Sequence, residues 1–317
     1  MTSTPPFPVL VAGDANVDLV LRGDVVPRFG QAEQLLDSGE LVLGGSASIT
    51  AAGLARLGVP TTLVARVGND AFGRFTTDAL AAAGVDTSMI ETDVTLPTGI
   101  SVILSAPGDR AILTVPGTIP TLSGSSVLAA LGSSSHVHFA SYFLQPSLAA
   151  GLPNLLAELR SRGITTSLDT NWDPAETWEG LRDVLPQLDV LLPNREELRA
   201  LGAATGVSLS ASDEQIARHL AAHGPRIVVK AGGEGGWSVA HGTPLASAPG
   251  LRVDVVDTTG AGDSFNAGYL AAIAHGMEDE TERLHWATTA GSLSTLGAGG
   301  TGAQATLADL TATRLTA

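Results

Sequence analysis

The sequence predicts an α/β fold built on a mainly parallel sheet covered by helices on both faces. Short apolar runs recur along the chain, helix-period segments separate most of them, and glycine or proline marks the joints. Parallel strands need crossovers of this kind, and a sheet made that way is buried on both sides. The 317 residues, 44% hydrophobic and 15% charged, suffice for a large core and exclude a disordered chain.

Val9–Ala12 opens the pattern as a short apolar strand. Residues 48–57, rich in Ala and Leu, read as a helix stopped by Gly58 and Pro60. Residues 61–67 form the next strand. A helix from about 70 to 83 carries Phe72, Phe75 and Ala79 on one face and ends at Gly84. Residues 136–140, 164–168, 190–192 and 227–229 read as buried strands, with helices at 148–160, 195–201 and 212–223 between them. Residues 253–256 read as a strand entering a glycine loop, and helices near 261–275 and 281–296 close the chain.

Two segments break the rhythm. Residues 34–43 and 98–115 are strand-like with no helix between their halves, and Pro107-Gly108-Asp109 signals a turn. They fit a small antiparallel flap off the main sheet, or ordinary edge hairpins. No repeat, low-complexity tract or linker is visible, so residues 1–317 are expected to form one domain.

Net charge of −15 argues against a nucleic-acid partner. No apolar run approaches the roughly 18–20 residues of a membrane span. Met1 to Pro8 lacks the basic and apolar regions of a signal peptide, so a cytoplasmic location is expected. With no cysteine, disulfides and thiolate chemistry are excluded. The basic residues are sixteen Arg and a single Lys, Lys230.

The most informative stretch is Asp257-Thr-Thr-Gly-Ala-Gly-Asp263, a glycine loop opening an apolar helix. Glycines let amide N–H groups converge, and a helix start is an anion site. A carboxylate beside it repels phosphate. Asp263 therefore either caps the helix or takes a proton from an attacking hydroxyl. Asn16 and Asp18 alternate with apolar neighbours and point to one side of an extended segment, offering the donor and acceptor set that vicinal hydroxyls need. Asn194 and Glu197 share one face at a helix start, as a capping box would require. Lys230 stands at a strand end before a glycine-rich loop. His136 and His138 alternate along a strand and read as structural.

The 257–263 segment strongly resembles the C-terminal signature of the ribokinase-like (phosphofructokinase-B-type) carbohydrate kinases, and Gly44 to Gly58 resembles their N-terminal signature. No Walker A pattern occurs. The resemblance implies a three-layer α/β sandwich with a β-lid from residues 34–43 and parts of 98–115. It implies an ATP- and Mg²⁺-dependent sugar kinase, and lids of this family supply dimer interfaces. Asp263 matches the catalytic base, and Gly260, Ala261 and Gly262 the anion hole. Asn16, Asp18, Gly44, Gly45, Ser46, Ser48 and Gln145 fall on the sugar side. Asn194 and Glu197 match the motif that organises Mg²⁺ through water, and Lys230, Gly232, Gly235 and Gly262 line the nucleotide, with Lys230 aimed at the phosphates. Asp257 and Thr259, with carbonyls around 293–302, resemble a monovalent-cation site for K⁺.

Departures from the family pattern are Ile49, where an Asn commonly holds a sugar hydroxyl, and Ala287, where some members have an Asn near adenine. Trp172 and Asp173 stand where some sugar-acid kinases carry an Arg. Other expectations the residues admit are a nucleoside kinase on this fold, a vitamin kinase of the pyridoxal type, and a silent sugar sensor.

Overall fold

The computed structural model describes residues 5–31, 33–106 and 109–313. Pro107 and Gly108 of the expected turn lie outside them. The strands are β1 (Val9–Ala12), β2 (Asn16–Arg22), β3 (Ser38–Gly44), β4 (Thr61–Gly68), β5 (Ile90–Asp93), β6 (Gly99–Ala106), β7 (Asp109–Val115), β8 (His136–Ala140), β9 (Thr165–Asp169), β10 (Val190–Leu191), β11 (Arg226–Lys230), β12 (Gly236–Val239) and β13 (Ala246–Ala248). The helices are α1 (Ser46–Arg56), α2 (Ala71–Ala82), α3 (Gly124–Ala130), α4 (Pro146–Ala149), α5 (Leu152–Ser161), α6 (Arg195–Ala204), α7 (Asp213–Ala221), α8 (Ala261–Ala274), α9 (Glu280–Ser294) and α10 (Leu307–Thr313).

Nine strands form one sheet in the order β13-β12-β11-β10-β9-β8-β1-β4-β5. The run from β11 to β5 is parallel, and β12 and β13 are added antiparallel at one edge. Successive side chains of a strand face opposite sides, and β1 divides accordingly. Val9 and Val11 enter a core shared with α1, α8 and α9, while Leu10 and Ala12 enter one shared with α5, α6 and α7. The chain is therefore layered helix, sheet, helix.

Four strands form a second, smaller sheet in the order β3-β2-β6-β7. It is the expected flap of residues 34–43 and 98–115 with one strand, β2, added inside it. β2 lies at its centre, antiparallel to β3 but parallel to β6. Residues 16–22 were expected to carry site residues on an extended segment, and they do so as a strand of this sheet. Residues 34–37 precede β3 and do not extend it.

Other differences follow from local chemistry. Residues 253–256 form no strand. Val255 and Val256 are exposed, and the Val256 and Asp257 amides both donate to the Thr295 carbonyl. The helix expected at 148–160 splits into α4 and α5, because Gly151 starts a new N-terminus with Pro153 in its first turn. No helix among the described residues is long and apolar enough to cross a membrane.

Candidate active site

Loops at the carboxyl ends of β1, β9 and β11 meet the first turns of α1 and α8, where ligands of open α/β sheets bind. α8 starts at Gly260, whose φ of 71° is left-handed and whose added Cβ would lie 2.6 Å from Gly300 Cα. Only glycine fits both demands. No side chain caps this end. The Ala261 amide turns back to the Thr258 carbonyl and that of Ser264 to Gly260. The Gly262 and Asp263 amides have no partner among the described residues. Amides left open at a helix start are the arrangement that can take an anion.

Asp263 occupies the first turn of α8 and keeps part of its surface open. Its Oδ1 accepts a 2.5 Å hydrogen bond from Ser46 Oγ, at the first turn of α1. Burial pushes its carboxyl up to about 7, and the Asp169 charge adds to that effect against Ser46 and Lys230. The carboxyl is thus balanced near neutral pH, as a general base requires.

Asp14, which the motif reading passed over, organises the opposite wall. Its carboxylate accepts from the Ser46 and Ala47 amides, both at 3.0 Å. It fills the start of α1 that Gly45 cannot cap with a side chain. Its spacing in Asp14-Ala-Asn16-Val-Asp18 was the available signal.

Asn16 and Asp18 start β2, and Asn16 Nδ2 donates to Asp18 Oδ1 at 3.0 Å. Burial, then the Asp14 charge, push the Asp18 carboxyl up to about 7. A Cβ on Gly44 would stand 2.1 Å from Asp18 Oδ1 and 2.7 Å from Asn16 Nδ2, so glycine there leaves room for both polar heads. Gly45 abuts Asp14 and Asn16 in the same way. Ser48 and Gln145 sit behind this wall, fully buried. Ser48 Oγ donates to the Asp14 carbonyl, and Gln145 Nε2 to that of Ala140 beneath Gly13. Helical spacing turns Ser48 away from the face that Ser46 presents.

Lys230 departs from its expected aim. Its ammonium is 2.5 Å from Asp169 Oδ2 in an ion pair with almost no exposure. Asn266 Nδ2 donates to the same oxygen at 2.6 Å. The lysine passes beneath Gly262, where a Cβ would lie 3.7 Å from Nζ. Its charge compensates a buried carboxylate first. Glu197 completes the cluster. Asn194 and Glu197 form a capping box at the start of α6, each side chain accepting from the other's amide at 2.8 Å. Burial raises the Glu197 carboxyl to about 7 against the pull of Lys230. Asp169 heads an Asp-Thr-Asn segment at a strand end and Asn266 no motif, and neither shows in sequence that they meet across 97 positions.

Beside this cluster lies a cleft of about 230 Å³ between the glycine loop after β11, with Gly232 and Gly235, and Phe265, Thr288 and Ser292. Ala287 is not among its walls. It is fully buried, with its Cα against Gly268. Ile49 is likewise buried, pressed against Gly300 behind the anion loop. Asp173 holds the amides of Ala175, Thr177 and Trp178 and is a turn support. His136 and His138 share Ser167 Oγ within the sheet, and burial keeps them neutral, down to about 3 and about 4.

The sequence matches the model of the pfkB family of carbohydrate kinases over residues 8–306. It is 32% identical over 289 residues to an ATP-dependent ribose-1-phosphate kinase of Halopiger xanaduensis, covering 90% of this chain and 91% of that protein. It is 28% identical over 298 residues to a ribokinase of Bacillus subtilis, covering 94% and 96%. The structure of Arabidopsis thaliana ribokinase complexed with ribose and ATP is similar, with a TM-score of 0.83 at 25% identity over 97% of this chain and 98% of that one. On these matches the chain belongs to the pfkB family of carbohydrate kinases and is a phosphotransferase acting on a sugar hydroxyl.

Proposed function

We propose that the chain transfers the γ-phosphoryl group of ATP to a hydroxyl, primary by preference, of a sugar or sugar derivative, with Asp263 as general base. One observation carries this reading: a largely buried carboxylate stands in the first turn of α8 beside two amides without a partner among the described residues, hydrogen-bonded to Ser46.

Asn16 and Asp18 hold sugar hydroxyls, and the room left by Gly44 and Gly45 lets the ligand approach the main chain. Asp263 accepts the proton of the attacking hydroxyl, while Ser46 holds one carboxylate oxygen and leaves the other for the acceptor. The Gly262 and Asp263 amides take the charge that develops on the phosphoryl oxygens. The nucleotide lies in the cleft floored by Gly232, Gly235 and Gly262.

The donor set suits Mg²⁺ held through water. No three acidic or histidine side chains among the described residues form a ligand cluster, and Glu197 offers a buried carboxylate beside Lys230. Mg²⁺, when bound, would neutralise charge on the phosphates, and Asn194 and Glu197 would orient its waters.

The four-stranded sheet acts as the lid, excluding the water that would otherwise accept the phosphoryl group. Its edge strand β7 exposes Ile112, Leu113 and Val115, which supports a homodimer through that sheet, with light scattering expected to give twice the chain mass. A cytoplasmic location supplies ATP and agrees with the absence of cysteine.

The test is ADP release with Mg²⁺ over a panel of ribose, fructose, ribose 1-phosphate, sugar acids and nucleosides. Turnover with at least one sugar-type acceptor is expected. ADP release with a nucleoside alone, or with no acceptor in the panel, contradicts the reading.

A further inference from the structure

Asp257 and Thr259 carry the resemblance to a monovalent-cation site, yet their side-chain oxygens are already engaged. Asp257 Oδ1 accepts from the Thr259 amide at 2.9 Å and from Thr259 Oγ1 at 2.8 Å. Its Oδ2 accepts from the Gly299 amide at 3.0 Å and from an Arg22 guanidinium nitrogen at 3.2 Å. An ionised carboxylate offers about four acceptor positions, and four donors use them. Thr259 Oγ1 also accepts from Arg110 at 3.1 Å. The Thr295 carbonyl, within the expected ring of carbonyls, takes the Val256 and Asp257 amides. A K⁺ ion would compete with these donors for the side-chain oxygens and share their space with a guanidinium. The side chains of Asp257 and Thr259 do not fit the ion.

Both arginines come from the small sheet, Arg22 at the end of β2 and Arg110 near the start of β7. Asp257 belongs to the turn that leads through Thr259 to Gly260, the start of the anion site. A cation from the small sheet thus anchors the loop that must hold the phosphoryl charge. The side chain of Asp257 is only 14% exposed, so its charge needs compensation there.

We propose that the Arg22 guanidinium, with Arg110 beside it, replaces the monovalent cation, so that this chain works without K⁺ and the seating of the small sheet orders the anion site. Arg22 is a positioning residue, acting on the reacting groups through Asp257 and the 257–260 turn. The inference rests on the reading of the chain as a kinase with that anion site.

The experiment measures kcat and KM, for ATP and for the sugar, in K⁺ and in tetramethylammonium at matched ionic strength. Wild type, Arg22→Gln and Arg22→Lys are compared, with the melting temperature of each titrated with K⁺. Wild-type kcat is expected to agree within about twofold in the two salts, and K⁺ is expected to leave its melting temperature unmoved. Arg22→Gln should fold, lose about tenfold in kcat with little change in sugar KM, and recover in K⁺ or in the Lys variant.

Wild type stimulated fivefold or more by K⁺, or melting higher in it, overturns the proposal. So does an Arg22→Gln variant with unchanged kcat, or with a loss that neither K⁺ nor Lys repairs. Absence of wild-type turnover in both salts defeats the kinase reading instead, and the K⁺ titrations of melting still decide this one.

Discussion

The two sheets use one secondary structure for opposite purposes. In the large sheet, β1 and β8 are buried along their whole length, locked between two cores. In the small sheet, β3 is exposed over its first four residues and β7 carries exposed apolar side chains. The large sheet therefore holds its strand ends rigidly, and the groups set there, Asp169 and Lys230, meet α8 at fixed distances. The small sheet brings Asn16 and Asp18 to the same place, but its polar ties to the anion loop are partly exposed arginine contacts. On the proposed reading, the reacting groups rest on the rigid sheet and the sugar-binding groups on the smaller one.

Substitutions on the two sides should separate along that line. The largest effect belongs to Asp263→Asn, expected to lose ~10²–10⁴-fold in kcat with the sugar KM little changed. The same variant should melt higher than wild type at pH 8, by about 2 °C or more. A carboxyl raised in the folded state stabilises below its unfolded value near 4 and loses that contribution as pH climbs through about 7. Asparagine removes the buried charge. Next comes Lys230→Met, which leaves Asp169 unpaired with 0% exposure and should cost about 3–5 kcal/mol in urea unfolding.

On the small-sheet side, Gly44→Ala pushes a Cβ into Asp18 and Asn16. It should raise the sugar KM about tenfold (roughly 1.4 kcal/mol) while leaving KM for ATP unchanged. Glu40→Gln is the smallest. It breaks a 3.4 Å pair with Arg22 whose acid is 57% exposed, and should shift stability by less than about 0.5 kcal/mol. A large effect from it would mean that Arg22 depends on Glu40 more than on Asp257.

Much of this was legible in sequence because it is local. The periodicity gave β1, β4 and β8 to β11 of the parallel sheet and the helices α2, α6 and α7 to within a few residues, and Asp257 to Asp263 announced the proposed anion site. What escaped was either short or non-local. β5 reads Ile-Glu-Thr-Asp and β13 is three residues, too little for a period. β2 was recognised for its polar side chains, yet its parallel pairing with β6 depends on the approach of residues about 80 positions later. Ser48 and Gln145 matched by position but point into the interior, and Ala287, a departure from the pattern, is buried there too. Lys230 could not be assigned without Asp169 in view. The acid that occupies it sits 61 positions away.

The central claim is that a carboxylate poised near neutrality accepts the acceptor's proton. The pH dependence of kcat/KM between pH 5 and 9 tests it most directly. The account predicts a tenfold fall per pH unit below about 7 in wild type, and no such limb in the residual activity of Asp263→Asn. A wild-type profile flat from pH 5.5 to 8, or the same limb in the variant, would contradict it.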